Sequence, residues 1–441
     1  MAQWALRRRG DRVLEPSMGD GAFLAALAQE SDRRRLRAEV WGVELAADTY
    51  AATVASGVVP PDRALRSDFL AVTPFEVDAV VGNPPYVRLR HLPPAEAATA
   101  RRVGDSVLQP VVGSSLDPSG SVWMPFVLHA TRFLARGGRL AMVLPYDVTY
   151  VRYARSLWRF LGESFGSLRV VRVRERMFPD ILQEAVLLFA DDFGGRTAHV
   201  AFEACETLAH LADGAPDVQV SLRIDDVVGG DRVFLEALLP SSVQELLRGP
   251  LRAATVAASE LVTFRIGYVC GDKEFFHPSA EDARHFRLPE RHLLPALTSA
   301  RQLSGVGVRT SSLPAARGER LWLPTGNLAA GEQRYVQHGE GSGVSQRFKC
   351  RIRDPWYVTP GVKVPDVVVP VFTERPTLMV NDAGMVATNS LLCGYLRPGV
   401  SADAMACSWY TSLTLLQMEL EVHALGGGVM VLVPREGARL R

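Results

Sequence analysis

Lysine is nearly absent from this chain. Only Lys273, Lys349 and Lys363 are lysines among 49 cationic residues, and arginine supplies the rest. Codon bias accounts for such a preference, so its first use lies in what it excludes. The common metal-dependent nuclease core needs Asp/Glu-x-Lys. The residues two positions before the three lysines are Gly271, Arg347 and Gly361. No nuclease of that type is expected. Cysteine is scarce too: Cys205, Cys270, Cys350, Cys393 and Cys407 are scattered, with no Cys-x-x-Cys pair. That spacing excludes a zinc ribbon and a disulfide framework, so no metal is expected and a reducing, cytoplasmic compartment is. No apolar run reaches the ~18 residues of a membrane span. The opening "MAQWALRRRGDR" has no apolar core of the kind a signal peptide carries. A net charge of +1 excludes a uniformly basic nucleic-acid binder.

What remains is ordinary globular material. The chain has 441 residues, enough for two or three domains with real cores. Arginines still cluster, at Arg88/Arg90/Arg101/Arg102, at Arg169/Arg172/Arg174/Arg176, and in "QRFKCRIR" from Gln346 to Arg353. A neutral protein with basic stripes can hold phosphates on one face.

The first half alternates strand-like and helix-like segments. "DRVLEP", "EVWGVEL", "RALRSDFL", "VDAVVGN" and "RLAMVLP" read as strands, and "GAFLAALAQE" and "AADTYAATVA" as helices between them. "SVWMPFVLHATRFLARGG", from Ser121 to Gly138, predicts one amphipathic helix with a glycine stop. "LRVVRVRE" and "AVLLFADD" read as a closing strand pair. Near-continuous apolar strands in this alternation predict an open α/β, Rossmann-like sheet, mostly parallel. Ligands bind such sheets at the carboxyl ends of the strands. After about Asp192 the alternation weakens, and "PSSVQELLRGPLRAA" (Pro240–Ala254) reads as a linking helix. From Glu260 onward short β-like runs dominate. A mixed, β-rich second domain is expected.

Two constellations fall on the expected ligand edge. In "LEPSMGDGAFL" (Leu14–Leu24), Gly19 and Gly21 sit at a strand-to-helix turn, where the backbone can approach a ligand and free N–H groups point at it. Many structural turns look the same. Glu44 ends the next strand, the place from which a carboxylate grips ribose hydroxyls. Position 24 is Leu, so the loop is not Gly-x-Gly-x-x-Gly, and a nucleoside without phosphates fits better than a dinucleotide. Asp68 ends the third strand, where it could accept from an adenine amine or simply be solvated.

The second constellation is Asn83-Pro84-Pro85-Tyr86 after a buried strand. A planar exocyclic amine is a poor nucleophile because its lone pair is delocalised. Two preorganised acceptors, the Asn83 side-chain oxygen and the Pro84 carbonyl, would favour a tetrahedral nitrogen. Pro85 stiffens the corner, Gly82 leaves room, and Tyr86 can stack on the base. Arg88 and Arg90 follow within phosphate reach. Asn-Pro also starts common turns, and Tyr86 would serve equally as core.

With these motifs in this order, the sequence resembles the gamma-class N(6)-adenine DNA methyltransferases of restriction–modification systems, from Val13 to about Ala190. The resemblance implies a class I S-adenosylmethionine-dependent methyltransferase sheet. It implies that Glu15, Pro16, Gly19, Gly21, Glu44, Asp68 and Phe69 hold S-adenosyl-L-methionine, and that Asn83, Pro84, Pro85 and Tyr86 are catalytic. "RMFPDILQEAVLLF" is similar to the family's later motif and assigns Phe178 as the stacking partner of Tyr86. "FRIGYVCGDKEFF", "RFKCRIRDPWYVTP" and "HALGGGVMVLVPRE" resemble the target-recognition half more diffusely. There Arg347, Lys349, Arg351 and Trp356 mix cations with an aromatic, which suits DNA contact. An exposed β hairpin is the plainer account of that stretch.

The expected organisation is a catalytic domain over 1–238 and a DNA target-recognition domain over 239–441. The expected state is a monomer acting on double-stranded DNA, with or without a separate restriction endonuclease. Before the first strand stands only "MAQWALRRRGD", similar to the tail of the family's cofactor-covering helix with its front missing, which leaves open a misassigned start, a truncated chain or an open cofactor site. A protein-glutamine methyltransferase shares Asn-Pro-Pro-Tyr but lacks a large C-terminal domain. An RNA methyltransferase and a catalytically weak DNA-binding protein stay open.

Overall fold

The computed structural model describes the chain except residues 176–183, 213, 215, 231, 304–307, 314–318 and 425–428. The described chain forms two compact units, Met1–Gln244 and Glu245–Arg441. No helix among the described residues is long and apolar enough to cross a membrane.

The first unit is built on one nine-stranded sheet. Its strands are β1 (Arg12–Glu15), β2 (Glu39–Glu44), β3 (Ala64–Arg66), β4 (Val77–Gly82), β5 (Leu134–Pro145), β6 (Phe165–Val173), β7 (Ala185–Phe193), β8 (His199–Cys205) and β9 (Val218–Arg223). Their order is β3-β2-β1-β4-β5-β7-β6-β8-β9. β1 to β5 pair in parallel, and β7 runs antiparallel to both β5 and β6. The reversal at β1, where the chain crosses from β3 to β4, is a topological switch point.

Side chains of the central strands alternate between two buried faces. Leu14, Val80, Leu140, Met142 and Leu144 join one cluster, and Val13, Ala79, Val81, Ala141 and Val143 join the other. Burial on both faces explains why these strands read as unbroken apolar runs. Helices α1 (Ala2–Ala5), α2 (Ala22–Arg34) and α3 (Ala47–Ala55) lie against the second cluster. Helices α4 (Pro94–Val112), α5 (Trp123–Thr131) and α6 (Arg155–Ser164) pack into the first.

Three local expectations are corrected. The single helix expected over Ser121–Gly138 is α5, ending at Thr131, and β5 already begins at Leu134. Every residue of α5 is buried, so it is not amphipathic; its apolar periodicity was masked because both sides face protein. The third strand ends at Arg66, and Asp68 instead caps the short 3-10 turn Phe69–Ala71 by accepting from Leu70 N–H at 3.0 Å. Helix α4 went unread because Pro110 lies inside it, although Pro94 in its first turn is an ordinary helix start.

The second unit is mixed. Val262–Ile266, Leu391–Leu396, Val367–Pro370 and Met379–Val380 form an antiparallel sheet in that order. Two three-stranded sheets and the helices Ala330–Gly341, Ala402–Trp409 and Ser412–Glu421 complete it. The arginine-rich stretch 346–353 is no hairpin. It carries the helical turn Phe348–Arg351.

Candidate active site

Proline and glycine bring two corners together. Gly82 ends β4 where a Cβ would stand 2.9 Å from Cδ of Pro16, the residue just beyond β1. Only glycine permits that approach. The Ser17 hydroxyl then donates to the Asn83 carbonyl oxygen at 2.9 Å. The Gly loop and the Asn-Pro-Pro-Tyr corner are therefore one structure at one sheet edge.

The Gly loop is tightly braced. Gly21 caps α2 in the left-handed region, at φ 82°, and a Cβ there would meet Val58 Cγ2 at 2.8 Å. The Glu44 carboxylate accepts from Gly19 N–H at 3.0 Å and from Ala46 N–H at 2.8 Å. Glu44 thus stands at the end of β2 and supports the loop, and each oxygen retains a lone pair for a further donor. Leu45 beside it is 69% exposed.

Glu15 is buried, 2% exposed, and its Oε2 has no hydrogen-bond partner. Burial raises its pKa to about 9, and the nearby Asp20 and Glu44 carboxylates push the same way against the Leu24 N–H. It holds a proton at neutral pH. Asp68 is half-buried at the 3-10 turn, while Phe69 is 2% exposed. The Phe69 ring lies against Phe126 (5.2 Å), His129 (4.9 Å) and Phe133 (5.4 Å). Phe69 is held in the core of the first unit, with little surface left for a ligand.

At the second corner, Pro84 is buried and Pro85 exposed. Asn83 Oδ1 is buried without a partner, and so is the Tyr86 hydroxyl. Burial raises the Tyr86 pKa, so the phenol stays neutral. Leaving a buried polar atom unpaired costs about 1–3 kcal/mol. Four such atoms, on Glu15, Asn83, Tyr86 and Tyr146, belong to residues at or just beyond the carboxyl ends of β1, β4 and β5. A cluster of unsatisfied atoms at a strand-end edge is what a polar ligand would complete. Sequence reasoning missed Tyr146. The signal was "VLPYD", a second strand ending in Pro-Tyr.

The basic residues divide. Arg88 is committed within the first unit: its guanidinium lies 3.3 Å from Asp147 Oδ2 and 3.1 Å from the Tyr153 hydroxyl. Arg90 is exposed, with Nε 3.3 Å from His91 Nε2. In the second unit, Arg347 pairs with Asp272 at 2.5 Å. Lys349 and Arg351 each lie 5.5 Å from the ring of Phe348, which is 60% exposed. Trp356 packs on Phe275 at 5.3 Å and donates to Glu340 Oε1 at 3.3 Å, so it is half-buried scaffold. Phe178 and Arg176 lie outside the described residues.

Known proteins share this architecture. The chain is 21% identical to the type II methyltransferase M.AccI of Acinetobacter calcoaceticus, over 89% of this chain and 73% of that protein. It is 24% identical to the type II methyltransferase M.XamI of Xanthomonas campestris pv. amaranthicola, over 98% of this chain and 80% of that one. Among solved structures, the type IIL restriction-modification enzyme MmeI in complex with DNA is similar in fold, with a TM-score of 0.51 at 12% identity. That match takes in 98% of this chain, which spans only 61% of the MmeI chain. The family model of the Eco57I restriction-modification methylase matches residues 66–177. The model of the C-terminal domain of the type II methyltransferase M.Eco57I matches residues 232–441. With a class I methyltransferase sheet carrying its two corners at one edge, the chain is similar to the Eco57I restriction-modification methylases over both matched stretches.

Proposed function

We propose that the chain methylates the exocyclic amine of an adenine in double-stranded DNA, using S-adenosyl-L-methionine. The observation that carries this reading is the buried, unpartnered Oδ1 of Asn83. It is an acceptor held in a water-poor corner by the Ser17 contact and followed by two prolines. An amine hydrogen satisfies it, and the Pro84 carbonyl takes the second hydrogen. Both bonds favour a pyramidal nitrogen over the planar one, which frees its lone pair. Tyr86 holds the ring by stacking, worth about 1–3 kcal/mol per base, which offsets the few kcal/mol needed to extract a base from a duplex.

The residues at β1 and β2 suit the cofactor. Glu15 Oε2 lacks a partner, Gly19 and Gly21 open the backbone, and the Glu44 carboxylate ends β2. Glu15 and Pro16 with the glycine loop would hold the methionine end, Glu44 the ribose, and Asp68 the adenine, with Phe69 behind it in the core. When bound, S-adenosylmethionine supplies the electrophilic methyl group. Residues 1–238 are then the catalytic domain and 239–441 the target-recognition domain, working in the cytoplasm as one half of a restriction–modification pair.

The test is to express the chain in a methylation-deficient host and sequence its DNA for modified bases. One adenine-containing motif, lost in Asn83→Ala, is expected. Modified cytosine in its place overturns the base assignment. Unmodified DNA at high expression overturns the activity.

A further inference from the structure

Tyr146 has no role in the site as drawn so far. It follows Pro145 at the end of β5, the strand next to β4 on the side away from β1. Gly82 pairs with Met142, and β5 continues past that level through Val143, Leu144 and Pro145. The phenol therefore stands beyond the same edge as Asn83, and it packs against the same apolar cluster as Tyr86.

Its ring is fixed on several sides. The Arg172 guanidinium lies over one face at 4.4 Å, and Arg172 is itself paired with Glu184 at 3.1 Å. Tyr150 meets it edge-on at 5.8 Å. The Tyr146 backbone N–H donates to the Glu184 carbonyl at 2.9 Å. The Thr149 hydroxyl spends its proton on the Tyr146 carbonyl, at 2.8 Å. After all of this the phenol hydroxyl is buried with no hydrogen bond of good geometry closed, the Thr149 hydroxyl being its near polar neighbour. A core tyrosine normally finds an acceptor for its O–H. A phenol locked in place with its donor unused is built for something that arrives.

The two acceptors assigned to the amine, Asn83 Oδ1 and the Pro84 carbonyl, take hydrogens. They leave unpaired N1, the ring nitrogen beside the amine carbon, and N7 one atom further round, and both are acceptors in the plane of the base. A donor just beyond the end of the adjoining strand complements them. We infer that Tyr146 is a base-binding residue whose hydroxyl donates to a ring nitrogen of the target base. This inference rests on the proposed methyltransferase activity. It adds a donor to a corner that otherwise offers acceptors, and so reads the heterocycle as well as its amine.

The experiment is tritiated-methyl transfer from S-adenosylmethionine to plasmid DNA of a methylation-deficient host, comparing the full chain with Tyr146→Phe. The substitution keeps the ring and its contact with Arg172. Loss of one hydrogen bond to the base predicts about a tenfold fall in kcat/KM for DNA. The thermal midpoint and the Kd for S-adenosylmethionine should stay unchanged. Equal activity of Tyr146→Phe beside an active wild type overturns this inference alone. A loss that travels with a lower midpoint or weaker cofactor binding also overturns it, in favour of packing. A wild type that transfers no methyl group to DNA overturns the underlying reading and this inference with it.

Discussion

The hydroxyl of Ser17 and the carbonyl oxygen of Asn83 are hydrogen-bonded at 2.9 Å across the join between β1 and β4. This bond links the loop that would carry the methyl donor to the corner that would carry the acceptor. Methyl transfer needs the two reacting atoms in line, so alignment across this join matters more than the strength of the bond. Ser17→Ala should keep the fold and lower kcat by about threefold to tenfold, with cofactor Kd nearly unchanged, as expected for the loss of ~0.5–1.5 kcal/mol of hydrogen bonding. Single-turnover rates would measure it. An unaltered single-turnover rate would mean the join does not control alignment.

Glu15 ties stability to pH with a definite sign. Its pKa is raised from the ordinary 4.5 to about 9, chiefly by burial. Between those values the native chain keeps a proton that the unfolded chain has released. Stability is therefore greatest below the unfolded pKa and declines as pH rises toward the folded one. The slope from this one group is at most about 1.4 kcal/mol per pH unit. Glu15→Gln should flatten the decline. Denaturant unfolding of both proteins at several pH values from about 5 to 9 would show it, and identical profiles would remove Glu15 as the source.

Lys349 and Arg351 are exposed cations, each 5.5 Å from the exposed ring of Phe348, and Ile352 beside them is 61% exposed. Cations on such a surface suit phosphates, while the apolar side chains suit the sugar or a base step. The double substitution Lys349→Gln, Arg351→Gln should weaken DNA binding and reduce the salt slope by roughly 1–2. The melting midpoint should not move. A DNA titration at several salt concentrations decides the matter, and an unchanged slope would take both residues off the phosphate backbone. Arg347 is expected to contribute less, because Asp272 already engages it.

Much of the catalytic half was legible from local pattern. Apolar runs marked β1, β2, β4, β5, β6 and β7, since strands buried on both faces need apolar residues at nearly every position. Asn83 through Tyr86 stood out because two prolines cannot continue a strand. β8 and β9 went unread, although "VQVSLR" alternates cleanly as a strand with one exposed face. The length of α5 was overestimated because its apolar pattern runs straight into β5. Asp68 was placed on a strand because "RALRSDFL" carries no glycine or proline to mark the end at Arg66.

The sequence by itself determined the alternation of strands and helices, the two corners, and the edge on which they fall. Those depend on short-range facts: side-chain period, glycine's access to positive φ and proline's missing donor. Only the tertiary structure decided which side chains remain unsatisfied there. Arg88 looked like a phosphate contact until Asp147, 59 residues on, and Tyr153, 65 residues on, were found to hold it. Tyr146 looked like any residue after a strand until its ring was found held by Arg172 and Tyr150 with its hydroxyl buried. Burial and pairing are set by neighbours remote in sequence, so the availability of a polar atom is a property of the fold.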